Sequence, residues 1–205
     1  MFMLRSCLTC QIFLFRDSPL CDFCFERFSK RVVNHGVITR RKPVFTQSLW
    51  SWRADNQELS RALIYGLKGR CEAKHWLKFA ALLLQLSLPI PRGACLVPIP
   101  SKTGKPDHAF GLTQAFHQLT GWPIEEILKS NVETHQRELN KSQRSRIAIQ
   151  RIKNNRKRYS HYVLVDDVIT SGATLHAAYR ALGEPDSIHG LCLMDRAQDC
   201  KHFDV

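Results

Sequence analysis

Val163-Leu164-Val165-Asp166-Asp167-Val168-Ile169-Thr170-Ser171-Gly172-Ala173-Thr174-Leu175 runs from an aliphatic stretch into two adjacent carboxylates, then into a loop of small and hydroxylated residues. Neighbouring carboxylates repel each other and are costly to desolvate, so a strand end that holds both calls for a ligand. In open α/β sheets, ligands bind beyond the carboxyl ends of the strands. Residues 170–174 would surround one point there with backbone N–H groups, hydroxyls and the positive end of a helix, which is a cradle for phosphate. Gly172 lets the backbone approach the anion with no Cβ in the way. Asp166 and Asp167 are acceptors suited to a vicinal diol. Together the two parts fit a ribose 5-phosphate, and Mg²⁺ is needed if the sugar also carries pyrophosphate. The alternative is a plain strand–turn–helix with an acidic helix cap and incidental small residues. Neither GxxxxGK[ST] nor GxGxxG occurs in the chain.

The text around this stretch alternates between strand and helix patterns. Residues 161–165 read as a strand, and Leu175, Ala178, Tyr179 and Leu182 mark a helix stopped by Gly183 and Pro185. A last strand is expected over 187–194. Upstream, Cys95-Leu96-Val97-Pro98-Ile99 is uniformly apolar, as a buried parallel strand would be, and 124–128 is a further strand candidate. Helical spacing recurs at Leu59, Leu63, Ile64 and Leu67, at Leu77, Ala80, Leu83 and Leu84, and over 110–119. This alternation predicts an α/β protein with a parallel sheet flanked by helices. Residues 31–55, basic and mixed and broken at Arg40-Arg41-Lys42-Pro43, read as a connector. The expected division is a cysteine module over 1–30, a connector and helical region over 31–90, and the sugar-phosphate domain over 91–205.

At 205 residues the chain is long enough to bury a real core, and 44% hydrophobic with 23% charged residues is ordinary for a globular protein. The balance of 30 Lys and Arg against 18 Asp and Glu, a net +12, favours polyanionic partners. The start, MFMLRSCLTC, meets a cysteine pair before an apolar signal core can form, so a cytoplasmic protein is expected. The longest apolar run, 79–84, is far short of the roughly 20 residues of a membrane span.

Eight cysteines without a leader argue for metal ligands and buried thiols over a disulfide framework. Cys7-x2-Cys10 and Cys21-x2-Cys24 can each offer two thiolates from a tight turn, and two such knuckles complete a tetrahedral Zn²⁺ shell. A thirty-residue module has too little core to hold itself without such a staple, so a structural role is expected. A redox-active CxxC is the alternative. Cys71, Cys95, Cys192 and Cys200 stand singly and read as core or bystander residues.

The stretch 163–175 resembles the thirteen-residue phosphoribosyl pyrophosphate (PRPP) motif of type I phosphoribosyltransferases. Joined to a tetracysteine knuckle, it resembles the ComF family, bacterial proteins associated with DNA uptake. Tyr65-Gly66-Leu67-Lys68-Gly69, Val97-Pro98-Ile99-Pro100, and Gln136, Leu139 and Arg144 are similar to further elements of that family, so the likeness spans nearly the whole chain. The resemblance implies a type I phosphoribosyltransferase fold, a zinc-bound N-terminus and a role beside the competence machinery. Two departures stand out. The Arg-Gly-Phe-Asn-Gln element of the family corresponds here to His108-Ala109-Phe110-Gly111-Leu112-Thr113-Gln114, without the arginine, and Ile147 stands where the family has asparagine. Both bear on pyrophosphate handling or turnover more than on the sugar.

Two functions remain open from the sequence. As an enzyme, the chain would hold the sugar diol on Asp166 and Asp167 and its 5-phosphate on Thr170, Ser171, Gly172, Ala173 and Thr174. Lys102 and Lys105 would meet pyrophosphate and its Mg²⁺, unless they lie in a plain solvated loop. The positive segment 133–158 would close over the site as a flap. As a DNA-handling protein, the chain would track single-stranded DNA with Arg137 to Arg158, helped by Trp50, Trp52 or Trp76 as stacking surfaces. The bland readings are a solvated basic helix and tryptophans in the core.

Overall fold

Val163, Leu164 and Val165 are completely buried, and their side chains divide between two layers. Val163 and Val165 join one hydrophobic cluster with Leu112, Ala115 and Phe116. Tyr162 and Leu164 join another with Leu175, Ala178 and Leu182. The period-two alternation of a strand sends successive side chains to opposite faces, so a strand apolar at every position must be covered on both sides. In this computed structural model, that is its situation. The structure describes residues 5–14, 18–33, 37–41, 43–52, 57–67, 72–86, 90–91, 93–101, 107–130, 149–152 and 159–196.

The elements in chain order are β1 (Arg5–Ser6), β2 (Phe13–Leu14), α1 (Asp22–Val33), β3 (Val37–Arg41), β4 (Val44–Ser51), α2 (Gln57–Leu67), α3 (Leu77–Gln85), β5 (Cys95–Pro98), α4 (His108–Thr120), β6 (Leu128–Ser130), β7 (Ile149–Arg151), β8 (Tyr162–Ile169), α5 (Ala173–Ala181) and β9 (Ile188–Asp195). A short 3-10 turn over Ala73–His75 precedes α3. The main sheet has the order β3-β4-β9-β8-β5. Its four strands β4, β9, β8 and β5 are mutually parallel, and β3 adds an antiparallel edge. The α/β class expected from the sequence is the observed one, with the tetracysteine cluster at its N-terminal end. No helix of the described residues is long and apolar enough to cross a membrane.

Three expectations need correction. Residues 31–55 are no connector: β3 and β4 form a hairpin, and β4 lies inside the sheet, paired with β9. The sheet therefore draws strands from both sides of residue 91. The strand read over 161–165 continues through both aspartates to Ile169. The candidate strand over 124–128 contributes only an isolated bridge between Ile124 and Leu96, and β6 begins at Leu128 to pair with β7 as a separate two-stranded ribbon.

The cysteine module is seated on the main core. Cys7, Leu20, Cys24 and Phe28 belong to the same cluster as Leu63, Trp76 and Phe79. Phe28 packs edge-on against Trp50 with ring centroids 4.8 Å apart, and Phe25 against Phe79 at 5.5 Å. Leu8 lies over Gly66 of α2, where a Cβ would come within 2.5 Å of its Cδ1. Trp50 donates its indole N–H to the Ser60 hydroxyl at 3.1 Å.

At the amino ends of β8 and β9, the buried His161 and the half-buried His189 form a pair, His161 Nε2 lying 2.9 Å from His189 Nδ1. The Ser187 hydroxyl hydrogen-bonds His161 Nδ1. Burial, and secondarily the neighbouring His189, pushes His161 down to about 4. Burial also lowers His189. A histidine whose folded pKa lies below its unfolded value stabilises the fold fully above about pH 6.5 and loses that contribution as pH falls towards the folded value. We expect the His161 ring resonances to keep their neutral shift down to about pH 5, with a loss of about 2 kcal/mol of folding free energy from this group by that pH. Imidazole NMR titration alongside denaturant unfolding at pH 7.5 and pH 5 checks both, and a ring that titrates near 6.5 contradicts the neutral pair.

Candidate functional site

The carboxyl edge of the parallel sheet opens beside Asp166. Strand β5 pairs with β8 only as far as Pro98 opposite Val165, with one further bond from Ile99 N–H to Val165 O at 2.9 Å. On its other side β8 remains paired with β9, Asp166 opposite Cys192 and Ile169 opposite Asp195. Asp167 turns towards the α4 layer, the side on which Val163 and Val165 are buried. Asp167 Oδ2 accordingly meets His108 Nε2 at 3.1 Å, at the first residue of α4. Asp107 caps that helix, its carboxylate accepting the Ala109 N–H at 3.0 Å, and its other oxygen is 4.0 Å from His108 Nε2. Asp166 Oδ1 accepts the Asp167 N–H at 2.9 Å.

Three carboxylates and one imidazole therefore share a small region. Burial, reinforced by the charge of Asp167, raises the Asp166 carboxyl well above the usual carboxylate range. Asp107 is also raised, chiefly by burial, with His108 opposing. His108 Nδ1 is enclosed and has no hydrogen-bond partner among the described residues.

Directly after β8, Thr170 and Ser171 are exposed and Gly172 is buried. Gly172 caps α5 with φ 78°, a left-handed conformation that side-chain-bearing residues rarely adopt. Ser171 Oγ accepts the Ala173 N–H at 3.3 Å. The loop thus presents the amino end of α5 beside the aspartates, as the spacing predicted, with Ala173 exposed and Thr174 half-buried.

A cavity of about 370 Å³ lies at this edge, lined by Trp52, Arg61, Ile64, Tyr65, His108, Asp167 and Arg196. It is built on the ends of adjacent strands. Trp52 follows β4 and donates its N–H to Asp195 O, while Arg196 follows β9 and donates its own to Ile169 O, each at 2.7 Å. The Arg196 guanidinium stands 4.9 Å from the Trp52 ring centroid. Arg61, Ile64 and Tyr65, at helical spacing on α2, supply the facing wall. Of the predicted sugar-phosphate residues, Asp167 is the one that lines the cavity. Arg61 and Arg196 have no role in the sequence reading, Tyr65 enters it only as part of a family element, and His108 only as a departure from one. The sole sequence signal was the Arg61/Tyr65 spacing, which does not say what α2 faces.

Several candidates fall elsewhere. Trp50 and Trp76 are buried core residues, so neither offers a base-stacking surface, whereas Trp52 is half-buried at the cavity. Cys95 and Cys192 are fully buried, as a core reading requires. Lys102 and Lys105, Cys71 and Cys200, and positions 131–148 and 153–158 of the basic segment lie outside the described residues.

The four cysteine sulfurs of Cys7, Cys10, Cys21 and Cys24 all lie within 4.8 Å of one another, with Cys10 and Cys21 at 3.6 Å. Thiolates at about 2.3 Å from a tetrahedral zinc would stand roughly 3.8 Å apart, so this cluster is close enough to bind a metal ion such as zinc. The first knuckle is a tight turn. Cys7 N–H donates to Ile12 O at 2.8 Å, Gln11 N–H donates to Cys7 O at 2.9 Å, and Gln11 takes a left-handed φ of 60°. Burial works against ionisation of Cys7, but backbone N–H groups of Cys10, Cys21 and Thr9 prevail and bring it down to about 6. Burial and the adjacent Cys21 push Cys24 up to about 12. A divalent cation is the partner that lets all four ionise together.

These observations define an α/β protein with a parallel-sheet core, an acidic carboxyl edge and an N-terminal tetracysteine cluster close enough to hold a metal ion. No protein-family model matches the chain, and no curated protein does either.

Proposed function

We propose that this chain binds a phosphorylated pentose, ribose 5-phosphate or PRPP, at the carboxyl edge of its sheet, as a ComF-like protein with a phosphoribosyltransferase-type domain. The observation that carries this reading is the placement of Asp166 and Asp167 where β5 has ended, immediately ahead of the Gly172-capped helix α5. A diol needs acceptors and a phosphomonoester needs converging N–H groups, and the two sets follow each other within one strand–loop–helix unit. Asp167 is held by His108 and faces the cavity, and Asp166 beside it is likewise half-buried, its carboxyl raised by burial and by the charge of Asp167.

With PRPP, the C1–O bond to pyrophosphate would break through an oxocarbenium-like state. The acids would then fix the ribose and favour the developing positive charge, which is positioning and electrostatic catalysis. Were Mg²⁺ to accompany pyrophosphate, carboxylate oxygens of this edge would help to hold it and it would neutralise charge on the leaving group. The oxygen donors of Asp107 and Asp167 suit it, and with Lys102 and Lys105 they are the candidates to receive the leaving group. The cysteine cluster is proposed to hold Zn²⁺ in a closed, structural shell.

The link to DNA uptake, a cytoplasmic location and competence-protein partners rests on the family resemblance alone. The alternative, a single-stranded DNA-binding protein that keeps the fold, loses two of its three tryptophans to the core. Calorimetric titration with ribose 5-phosphate, and with PRPP plus Mg²⁺, tests the proposal. Saturable binding is expected, weakened about tenfold or more in the Asp166→Asn/Asp167→Asn double variant. Absence of binding in the metal-replete protein, or equal binding by the variant, refutes it. Binding of oligonucleotide alone, steeply weakened by salt, would favour the alternative.

A further inference from the structure

The cavity beside Asp167 has two chemically distinct sides. One is acidic, formed by Asp167 with His108. The other combines aromatic surface with two guanidinium groups: Trp52, Tyr65 and Ile64 together with Arg61 and Arg196. Tyr65, 69% exposed, lines the cavity with accessible ring surface. The Arg196 guanidinium lies 4.9 Å from the Trp52 ring centroid, a cation–π contact that still leaves N–H donors for an anion. A guanidinium is a fork for a planar oxyanion, and Arg61 adds a second cation to the lining. The aspartates of the sheet edge repel an anion, so it must be held at the arginine side, with its flat body against the rings. At about 370 Å³, the cavity has room for a single ring and its substituent, not for a polymer.

We infer that the cavity formed by Trp52, Arg61, Ile64, Tyr65 and Arg196 binds a planar ring bearing an oxyanion, a carboxylate or a phosphate. Resting on the pentose-phosphate reading, this ring is the acceptor that lies beside C1 of the sugar. In the transfer, a ring nitrogen forms the C1–N bond with its lone pair. Pyrophosphate departs with the C1–O electron pair, and the ring N–H proton passes to the departing pyrophosphate or to water. The anionic substituent takes no part in bond making and serves recognition through Arg61 and Arg196.

The test is titration of the full-length, metal-replete chain, by calorimetry and tryptophan fluorescence, with matched ring compounds. The pairs are benzoate and benzamide, pyridine-3-carboxylate and its carboxamide, and uracil-6-carboxylate and uracil. Phenyl phosphate and inorganic phosphate form a further pair, and each titration is run with and without saturating ribose 5-phosphate. At least one ring oxyanion is expected to bind about tenfold or more tightly than its uncharged or ringless counterpart. That preference is expected to fall to about twofold or less in Arg61→Gln and in Arg196→Gln. Variants are accepted only with wild-type metal content and thermal unfolding. Equal binding of charged and uncharged rings, inorganic phosphate binding as tightly as phenyl phosphate, or a preference that survives both substitutions overturns the inference. Ring oxyanions that bind while ribose 5-phosphate does not would refute the pentose reading and the acceptor role and leave the cavity assignment standing. Pentose binding with no ring binding in any arm would do the reverse.

Discussion

Stripping the metal from the tetracysteine cluster is expected to unfold the first thirty residues and to loosen the core beneath them. Cys7 and Cys24 are not surface knuckles but members of the main hydrophobic cluster, alongside Leu20, Phe28, Trp76 and Phe79. Among the described residues the module has the two-residue strands β1 and β2 and the twelve-residue helix α1, and a helix of that length is marginal in isolation. Zinc binding to small cysteine modules supplies roughly 10–16 kcal/mol at neutral pH, which here would be folding energy. Its surface ion pairs cannot substitute. Lys78–Asp22 and Lys30–Glu26 are solvent-exposed, and such pairs contribute about 1 kcal/mol at most. Loss of the module would uncover the Phe28 side of Trp50 and the Phe25 side of Phe79. We therefore expect about one zinc per chain by elemental analysis, and a fall in Tm of more than about 10 °C on complete chelation, with a shift in tryptophan fluorescence. Cys24→Ser should reproduce the effect. A metal content near zero in protein purified without chelator, or an unchanged Tm after demetallation, contradicts a structural zinc.

The second large effect has opposite signs for stability and for binding. Asp166→Asn is expected to raise the Tm of the ligand-free protein at neutral pH while weakening pentose phosphate binding. Asp166 sits beside Asp167 in a strand paired on one side, and burial together with that neighbour raises its carboxyl. A carboxyl whose folded pKa exceeds its unfolded value binds more protons in the folded state, so stability falls as pH rises through the interval between the two. The neutral amide keeps an oxygen to accept the Asp167 N–H and avoids that loss. The advantage of the variant should vanish near pH 3, where both states of the wild type are protonated, and grow as pH rises above the ordinary carboxylate range. Urea unfolding of both proteins between pH 3 and 8 measures it. A variant less stable than wild type throughout would mean that Asp166 is an ordinary structural cap and not a strained functional acid.

Two parts of the molecule were legible because their signals are local. Continuous burial of 163–165 follows from an unbroken aliphatic run, and the start of α5 follows from Gly172, whose left-handed backbone ends the loop. Strand β4 was hidden for a physical reason. Thr46, Gln47 and Ser48 are almost fully buried, yet they interrupt the apolar pattern by which a central strand is recognised. Their burial is tolerable because tertiary partners satisfy them, as where the Gln47 side-chain N–H group donates to Leu83 O at 3.0 Å. Basic residues in the preceding hairpin strand completed the appearance of a linker. The extension of β8 through its acids was missed similarly, since carboxylates are poor strand residues unless a site requires them.

What the chain alone determined is the identity of its two chemical clusters: four thiols at knuckle spacing, and an acid pair followed by a glycine-capped helix. Each depends on residues close together in sequence, whose geometry is set by one turn or one strand. The tertiary structure alone decided what stands opposite them. The sheet order β4-β9-β8 brings Trp52 and Arg196 from strands some 140 residues apart to the edge beyond Asp167. Packing of α4 on the other face sets His108 against that acid. Such meetings arise from sheet pairing and helix packing over long chain separations, and no local periodicity encodes them.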